Sequence, residues 1–176
     1  FTCTFCVEGV SYMTKVNRFP LDRIKEELEY IGPHAGVGSA WMISDSNFGM
    51  LPGDLQVAEA IHSMQERFEW PKYIWATTGK NKKESILAAI DVLDGTMRMT
   101  NSVQSMNQDV LANIKRTNIK LETYAGIQRD VQARGRQSYA EVIVALPGET
   151  LESFKRGIRQ LLDAGAQQVQ SYQLML

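Results

Sequence analysis

Five short strand-like runs, four of them passing into polar residues at the carboxyl end, are separated by stretches of helical periodicity and limit what this chain can fold into. Residues 40–43 run into Ser44-Asp45-Ser46-Asn47, 73–76 into Thr77-Thr78-Gly79-Lys80, 97–103 into Gln104-Ser105, and 139–145 into Leu146-Pro147-Gly148-Glu149. Residues 169–176 form the last run. Continuous apolar stretches of this length suit strands covered on both faces, as in a parallel sheet. Pro20 opens a helix with Leu21, Ile24, Leu28 and Ile31 on one face, and Gly32-Pro33 stops it. Val57, Ile61, Met64 and Phe68 mark a second helix over 55–68, and Ile86, Leu87, Ile90 and Leu93 a third. Asn107 is placed to cap a short helix with Val110, Leu111 and Ile114, followed by another over 118–134. Thr150 caps a last helix predicted to bury Leu151, Phe154, Ile158, Leu161 and Leu162 before Gly165 ends it. Strands alternating with helices predict an α/β fold whose parallel strands are joined by right-handed crossovers. An open doubly wound sheet and an arc of a β/α barrel both fit, and both bind ligands at the carboxyl ends of the strands.

The 176 residues suit a single domain over 1–176, with no low-complexity tract or linker. Hydrophobic residues are 44% and charged residues 22%, a globular balance. The net charge of −1 gives no electrostatic case for nucleic acid or an anionic membrane. No apolar run reaches the ~20 residues of a membrane span. With only two cysteines there is no secreted disulfide framework, so a reducing cytoplasm is expected. Both ends read as cut within structure, and a longer parent protein is expected.

The two cysteines are Cys3 and Cys6, spaced Cys-x-x-Cys in a loop expected to follow a strand. By itself this spacing also suits a zinc site or a disulfide oxidoreductase. Residues 7–18 contain Gly9, Ser11 and Asn17 and do not read as the helix a thioredoxin-like site needs. A zinc-binding, noncatalytic barrel using Cys3 and Cys6 needs two more ligands, for which only His34 and His62 stand as histidines.

Phe1-Thr2-Cys3-Thr4-Phe5-Cys6 resembles the end of the Cys-x-x-x-Cys-x-x-Cys loop of radical S-adenosylmethionine (SAM) enzymes, whose first cysteine would fall ahead of Phe1. Ser102-Val103-Gln104-Ser105 with Ile114-Lys115-Arg116 is similar to the fourth-strand segment of that family, and 142–150, ending Leu-Pro-Gly-Glu-Thr, to its fifth. The resemblance covers nearly the whole chain. It implies a partial TIM-type (β/α)6 barrel of parallel strands with the first strand truncated.

That resemblance implies a [4Fe-4S] cluster held by three thiolates, two of them Cys3 and Cys6, since cysteine sulfur is the usual ligand of such clusters. It further implies SAM bound at the cluster and cleaved reductively to a 5′-deoxyadenosyl radical, with a reductant such as flavodoxin or ferredoxin. The substrate is a small molecule or biosynthetic intermediate. By the same resemblance Phe5 contacts adenine, Gln104 and Arg116 the methionine part, and Glu141 the ribose hydroxyls. Asp45 and Asn47 close the second strand, where many relatives carry a glycine-rich segment for the amino group. The Asp-Ser-Asn-Phe form found here resembles members with a cobalamin-binding domain, which often transfer methyl groups, so cobalamin is expected in the whole protein. Thr77 stands where some branches have a carboxylate, Ala145 where glycine is common, and Glu149 is expected at a helix start. With two thiolates alone the cubane is underligated, so the 176 residues by themselves are expected to be inactive.

Overall fold

The computed structural model describes residues 3–36, 38–79 and 81–174; the side chains of Ser11 and Thr14 are also left undescribed. Phe1 and Thr2 of the cysteine loop, Lys80 of the second strand end, and Met175 and Leu176 of the last run lie outside the described residues. The chain divides into two compact units, one of residues 1–17, 101–130 and 138–176, the other of 18–100 and 131–137.

The second unit begins with α1 (Leu21–Ile31), which buries Leu28, and continues with β1 (Ala40–Met42), α2 (Asp54–Phe68), β2 (Tyr73–Trp75) and α3 (Lys83–Val92). β1 and β2 pair in parallel with Trp41 opposite Ile74. Ala58, Ile61 and Met64 of α2 and Ile86, Leu87, Ala89 and Ile90 of α3 are buried, each set at helical spacing. The other face of the pair is open: Tyr73 and Trp75 are 65% and 64% exposed. These two strands are therefore covered on one face only, which corrects the expectation of burial on both. Apolar runs this short carry no periodicity able to tell the two cases apart.

β3 (Met99–Gln104) is the first strand of a second sheet, of order β3-β4-β5, with β4 (Ser138–Val144) and β5 (Val169–Gln173) paired in parallel. Between β2 and the start of β3 the ladder gives way to a single parallel bridge, Ile74 to Met97, and to side chains. Thr78 Oγ1 donates to the Thr100 carbonyl at 2.7 Å and accepts from Thr100 N–H at 3.1 Å, while Thr100 Oγ1 donates to the Ala76 carbonyl at 3.1 Å. Hydroxyls thus occupy the backbone groups that a ladder would use. The described strands are parallel, as expected, and form two small sheets, not a barrel.

In the first unit α4 (Gln108–Asn113) and α6 (Leu151–Asp163) begin at predicted caps. Asn107 Oδ1 accepts from Asp109 N–H, and Thr150 and Ser153 form a reciprocal capping box. α5 (Leu121–Ala133) starts in this unit and ends in the other. Val103, Tyr124, Ala140, Val142, Leu161 and Ala166 form the core, with Phe154 and Ile158 packed on it. Leu151 and Leu162, expected to be buried, are 67% and 52% exposed: Leu151 is the first residue of α6, and Leu162 lies to the side of the stripe of Phe154, Ile158 and Leu161 that faces the sheet.

Two outcomes follow. Thr150→Ala removes the capping box and lowers stability by about 1 kcal/mol in denaturant titration. Tyr124 Oη is buried without a hydrogen-bond partner, and burial pushes its phenol up to about 12 from the usual 10. The stability tied to this proton is complete below pH 10 and is lost as pH rises towards 12, because the unfolded chain releases the proton first. Tyr124→Phe forfeits no hydrogen bond, so it leaves neutral-pH stability within about 1 kcal/mol. It should also flatten the alkaline decline read by circular dichroism.

Candidate functional site

The expected site residues fall into two sets, one in each unit. In the first, the cysteine loop packs on the end of α4: Thr4 N–H donates to the Ile114 carbonyl at 3.1 Å. Phe5 rests against a small apolar cluster of Val110, Leu111, Ile114 and Leu146. Cys3 is 8% exposed and Cys6 half-buried, both as free thiols. After Cys6 the chain makes two short 3-10 turns, Val7–Gly9 and Ser11–Thr14, and no α-helix, as its composition implied. A Cβ on Gly9 would lie 2.3 Å from the Cys3 carbonyl oxygen, and Gly9 N–H donates to the Cys6 carbonyl at 2.9 Å. Glycine is required there so that the turn can close over the thiol loop. The sequence offered Gly9 only as a helix breaker.

Arg116 links this loop to β3. Its Nη1 donates to Cys3 Sγ at 3.8 Å, its Nη2 to the Ser102 carbonyl, and its Nε to Asn118 Oδ1 at 3.1 Å. Ser102 Oγ in turn donates to Glu141 Oε2 on the adjacent strand. Cys3, Arg116, Ser102 and Glu141 therefore form one hydrogen-bonded chain. Glu141 shares a face of β4 with Tyr139 and Ile143, and on β5 the opposite residues are Gln170 and Tyr172. Burial first, and then the Glu141 carboxylate beside it, raise the Tyr172 phenol above its ordinary range. Tyr172 was missed in the sequence because its pairing with β4 depends on register.

Gln104 and Ala145, which follow each other at the ends of neighbouring strands β3 and β4, have φ of +66° and +67°. This left-handed region is uncommon for residues with a side chain. At Ala145 it gives a physical reason for the glycine that is common there. Glu149 accepts from Ser105 Oγ at 2.5 Å and from Ser153 Oγ at the start of α6, the helix-start position expected for it.

The second set lies at the carboxyl ends of β1 and β2. Asp45 Oδ1 accepts from Asn47 N–H at 2.7 Å, a turn closed by the side chain. Phe48 N–H then donates to the Thr77 carbonyl at 3.0 Å, which sets the Asp45–Asn47 turn beside Thr77. His34 Nδ1 lies 2.6 Å from the Tyr30 carbonyl, and His62 Nδ1 lies 3.4 Å from Gln65 Oε1. Both imidazoles are engaged with neighbours close in sequence. Among the described residues no group of three or more His, Cys, Asp or Glu is placed to hold a metal ion, so a zinc site finds only its two thiols. Among them, too, no helix is long and apolar enough to cross a membrane.

No protein-family model matches the chain. It is 33% identical over 171 residues to the cobalamin-dependent radical SAM methyltransferase TokK of Streptomyces tokunonensis. It is 34% identical over 171 residues to the 2-(S-pantetheinyl)-carbapenam-3-carboxylate methyltransferase of Streptantibioticus cattleyicolor. Each match takes in 94% of this chain and 24% of the relative, so the chain spans about a quarter of their length. The fold is similar to that of the radical SAM methyltransferase TsrM from Kitasatospora setae, solved with cobalamin and a [4Fe-4S] cluster bound. That match has a TM-score of 0.76 at 17% identity and covers 99% of this chain and 34% of TsrM. By these matches the chain is similar to radical SAM enzymes. Of the two sequence relatives, both are methyltransferases by name, and TokK is named as a cobalamin-dependent one. The radical SAM enzyme HemN of Escherichia coli shares the fold more distantly, with a TM-score of 0.67 at 14% identity over 88% of this chain and 36% of HemN.

The thiol loop generates a prediction. Gly9→Ala pushes a methyl group against the Cys3 carbonyl, at a cost of about 1–3 kcal/mol. Iron bound after anaerobic reconstitution of the intact protein should fall, with the loss read by iron analysis against wild type.

Proposed function

We propose that the chain is the catalytic core, spanning residues 1–176, of a cobalamin-dependent radical SAM methyltransferase acting on a small molecule. The observation that carries this reading is the hydrogen-bonded chain from Cys3 through Arg116 and Ser102 to Glu141. It links a thiol, a guanidinium and, through Ser102, a carboxylate across β3 and β4, in a chain similar to one such methyltransferase, TokK. The fold likeness to TsrM further supports reading the five strands as part of a partial (β/α)6 barrel.

The donor set fits an iron–sulfur cluster in kind: Cys3 and Cys6 are soft sulfur ligands three residues apart and neither is tied in a disulfide. Cys3 and Cys6 would hold two of the cluster's irons, and the cluster would supply the electron for reductive cleavage of SAM to a 5′-deoxyadenosyl radical. Every other task falls to side chains. Three of the five guanidinium donors of Arg116 are spent on Asn118, Cys3 and Ser102, which locks the plane and leaves two for the SAM carboxylate. Glu141, held by Ser102, accepts from the ribose hydroxyls, Gln104 binds the methionine part, and Phe5 lies along the adenine. Asp45, Asn47 and Thr77 form the polar strand ends assigned to the amino group. A reactive primary radical calls for a site shut to water, which an apolar loop around Phe5 favours. The reductant is a small electron carrier of the flavodoxin or ferredoxin kind, and a cytoplasmic setting suits free thiols.

Anaerobic reconstitution of the intact protein with iron and sulfide should give a brown protein with about four irons per chain. With dithionite and SAM it should release 5′-deoxyadenosine. Cys3→Ala and Cys6→Ala should each abolish both. A wild-type protein that stays colourless and binds zinc instead would overturn the proposal.

A further inference from the structure

The end of β3 is held in a conformation that its own sequence does not favour. Ser105 N–H donates to the Val103 carbonyl at 2.8 Å, closing a three-residue turn around Gln104, whose φ is +66°. A hydrogen bond from residue i+2 back to residue i around a positive φ is the rare, strained form of the γ-turn. Among the other described residues with positive φ and a side chain, Glu69 closes the carboxyl end of α2, where left-handed residues are commonplace. Gln104 ends a strand, and glycine would adopt this φ without penalty.

One side chain grips both sides of the turn. Asn118 Nδ2 donates to the Val103 carbonyl at 2.7 Å and to the Ser105 carbonyl at 2.9 Å. Its Oδ1 accepts from Arg116 Nε at 3.1 Å, which fixes which end of the amide faces the turn. The carbonyls before and after Gln104 thus share one amide group, and the same amide is oriented by the guanidinium that touches Cys3. Only a primary amide offers two donors and an acceptor in this geometry: Asp lacks the donors and Gln reaches a methylene too far. On the far side, Ser105 Oγ accepts from Asn107 N–H at 3.1 Å and donates to Glu149, so the residue after the turn is also pinned. Strain kept in place by surrounding bonds at a strand end is the pattern expected where a side chain must be aimed.

We propose that Asn118 is the positioning residue for Gln104: by clamping both flanking carbonyls it keeps Gln104 in the strained γ-turn and so presents its amide to SAM. The last clause rests on the assignment of Gln104 to the methionine part of SAM made above.

Two double-mutant cycles on the intact, reconstituted protein test it. The first reads thermal stability for Asn118→Ala, Gln104→Gly and the pair. Asn118→Ala lowers Tm, Gln104→Gly leaves it unchanged or raises it, and the pair loses clearly less than Asn118→Ala alone, because glycine needs no clamp. Additive effects would show that Asn118 merely packs and would overturn the clamp. The second cycle reads SAM affinity by equilibrium dialysis for Asn118→Ala, Gln104→Ala and the pair. Asn118→Ala weakens SAM about tenfold, Asn118→Asp does the same, and neither adds to the effect of Gln104→Ala. An asparagine that is purely structural, or that acts through Arg116 alone, would instead weaken binding equally in both backgrounds, overturning the positioning role. Coupled stabilities with a Gln104→Ala affinity like wild type would overturn the assignment of Gln104 to SAM while the clamp stood.

Discussion

Everything in the first unit depends on the burial of one face of β4. Ser138, Ala140 and Val142 are buried, Ala140 and Val142 in the core with Leu161 of α6, and the side-chain period of a strand turns Tyr139, Glu141 and Ile143 the other way. A slip of one residue would drive Glu141 into that core and set Val142 on the open face, so the apolar contact pins the register. With the register pinned, Glu141 meets Ser102 on one side and faces Gln170 and Tyr172 on the other. The polar face is a consequence of the apolar one.

From that face the hydrogen bonds run without a gap to the thiol loop. Arg116 is the junction, contacting Ser102, Cys3 and Asn118 with three different nitrogens. Its planar, permanently charged fork suits this role better than an ammonium would, since each nitrogen has a fixed direction. Strain gathers nearby as well. Gln104 and Ala145 end adjacent strands with positive φ, and both lie where the family resemblance places contacts or a close approach.

The second unit solves a different problem. β1 and β2 are three residues each, cover one face with helices and leave aromatic side chains on the other. Beyond their ends the Asp45–Asn47 turn and the Thr78–Thr100 hydroxyl bonds organise the backbone with side chains instead of a ladder. Polar residues at strand ends here build the scaffold, which is why their number in the sequence overstated the number free to bind a ligand.

Periodicity and local chemistry were enough to determine the alternation of helices and strands and the caps at Asn107 and Thr150, and Cys3, Cys6 and the two strand-end segments carried the resemblance to radical SAM enzymes. These are local matters: a cap is set by residues two or three apart, and a motif is read from consecutive side chains. Tertiary structure alone decided that Leu151 and Leu162 are exposed, that the strands form two sheets, and that Gly9 must lack a side chain. It also brought Asn118 to both carbonyls around Gln104. Each of these rests on contacts between residues far apart in the chain or on the packing of whole elements, where steric fit and hydrogen-bond geometry act and sequence spacing carries no record of them.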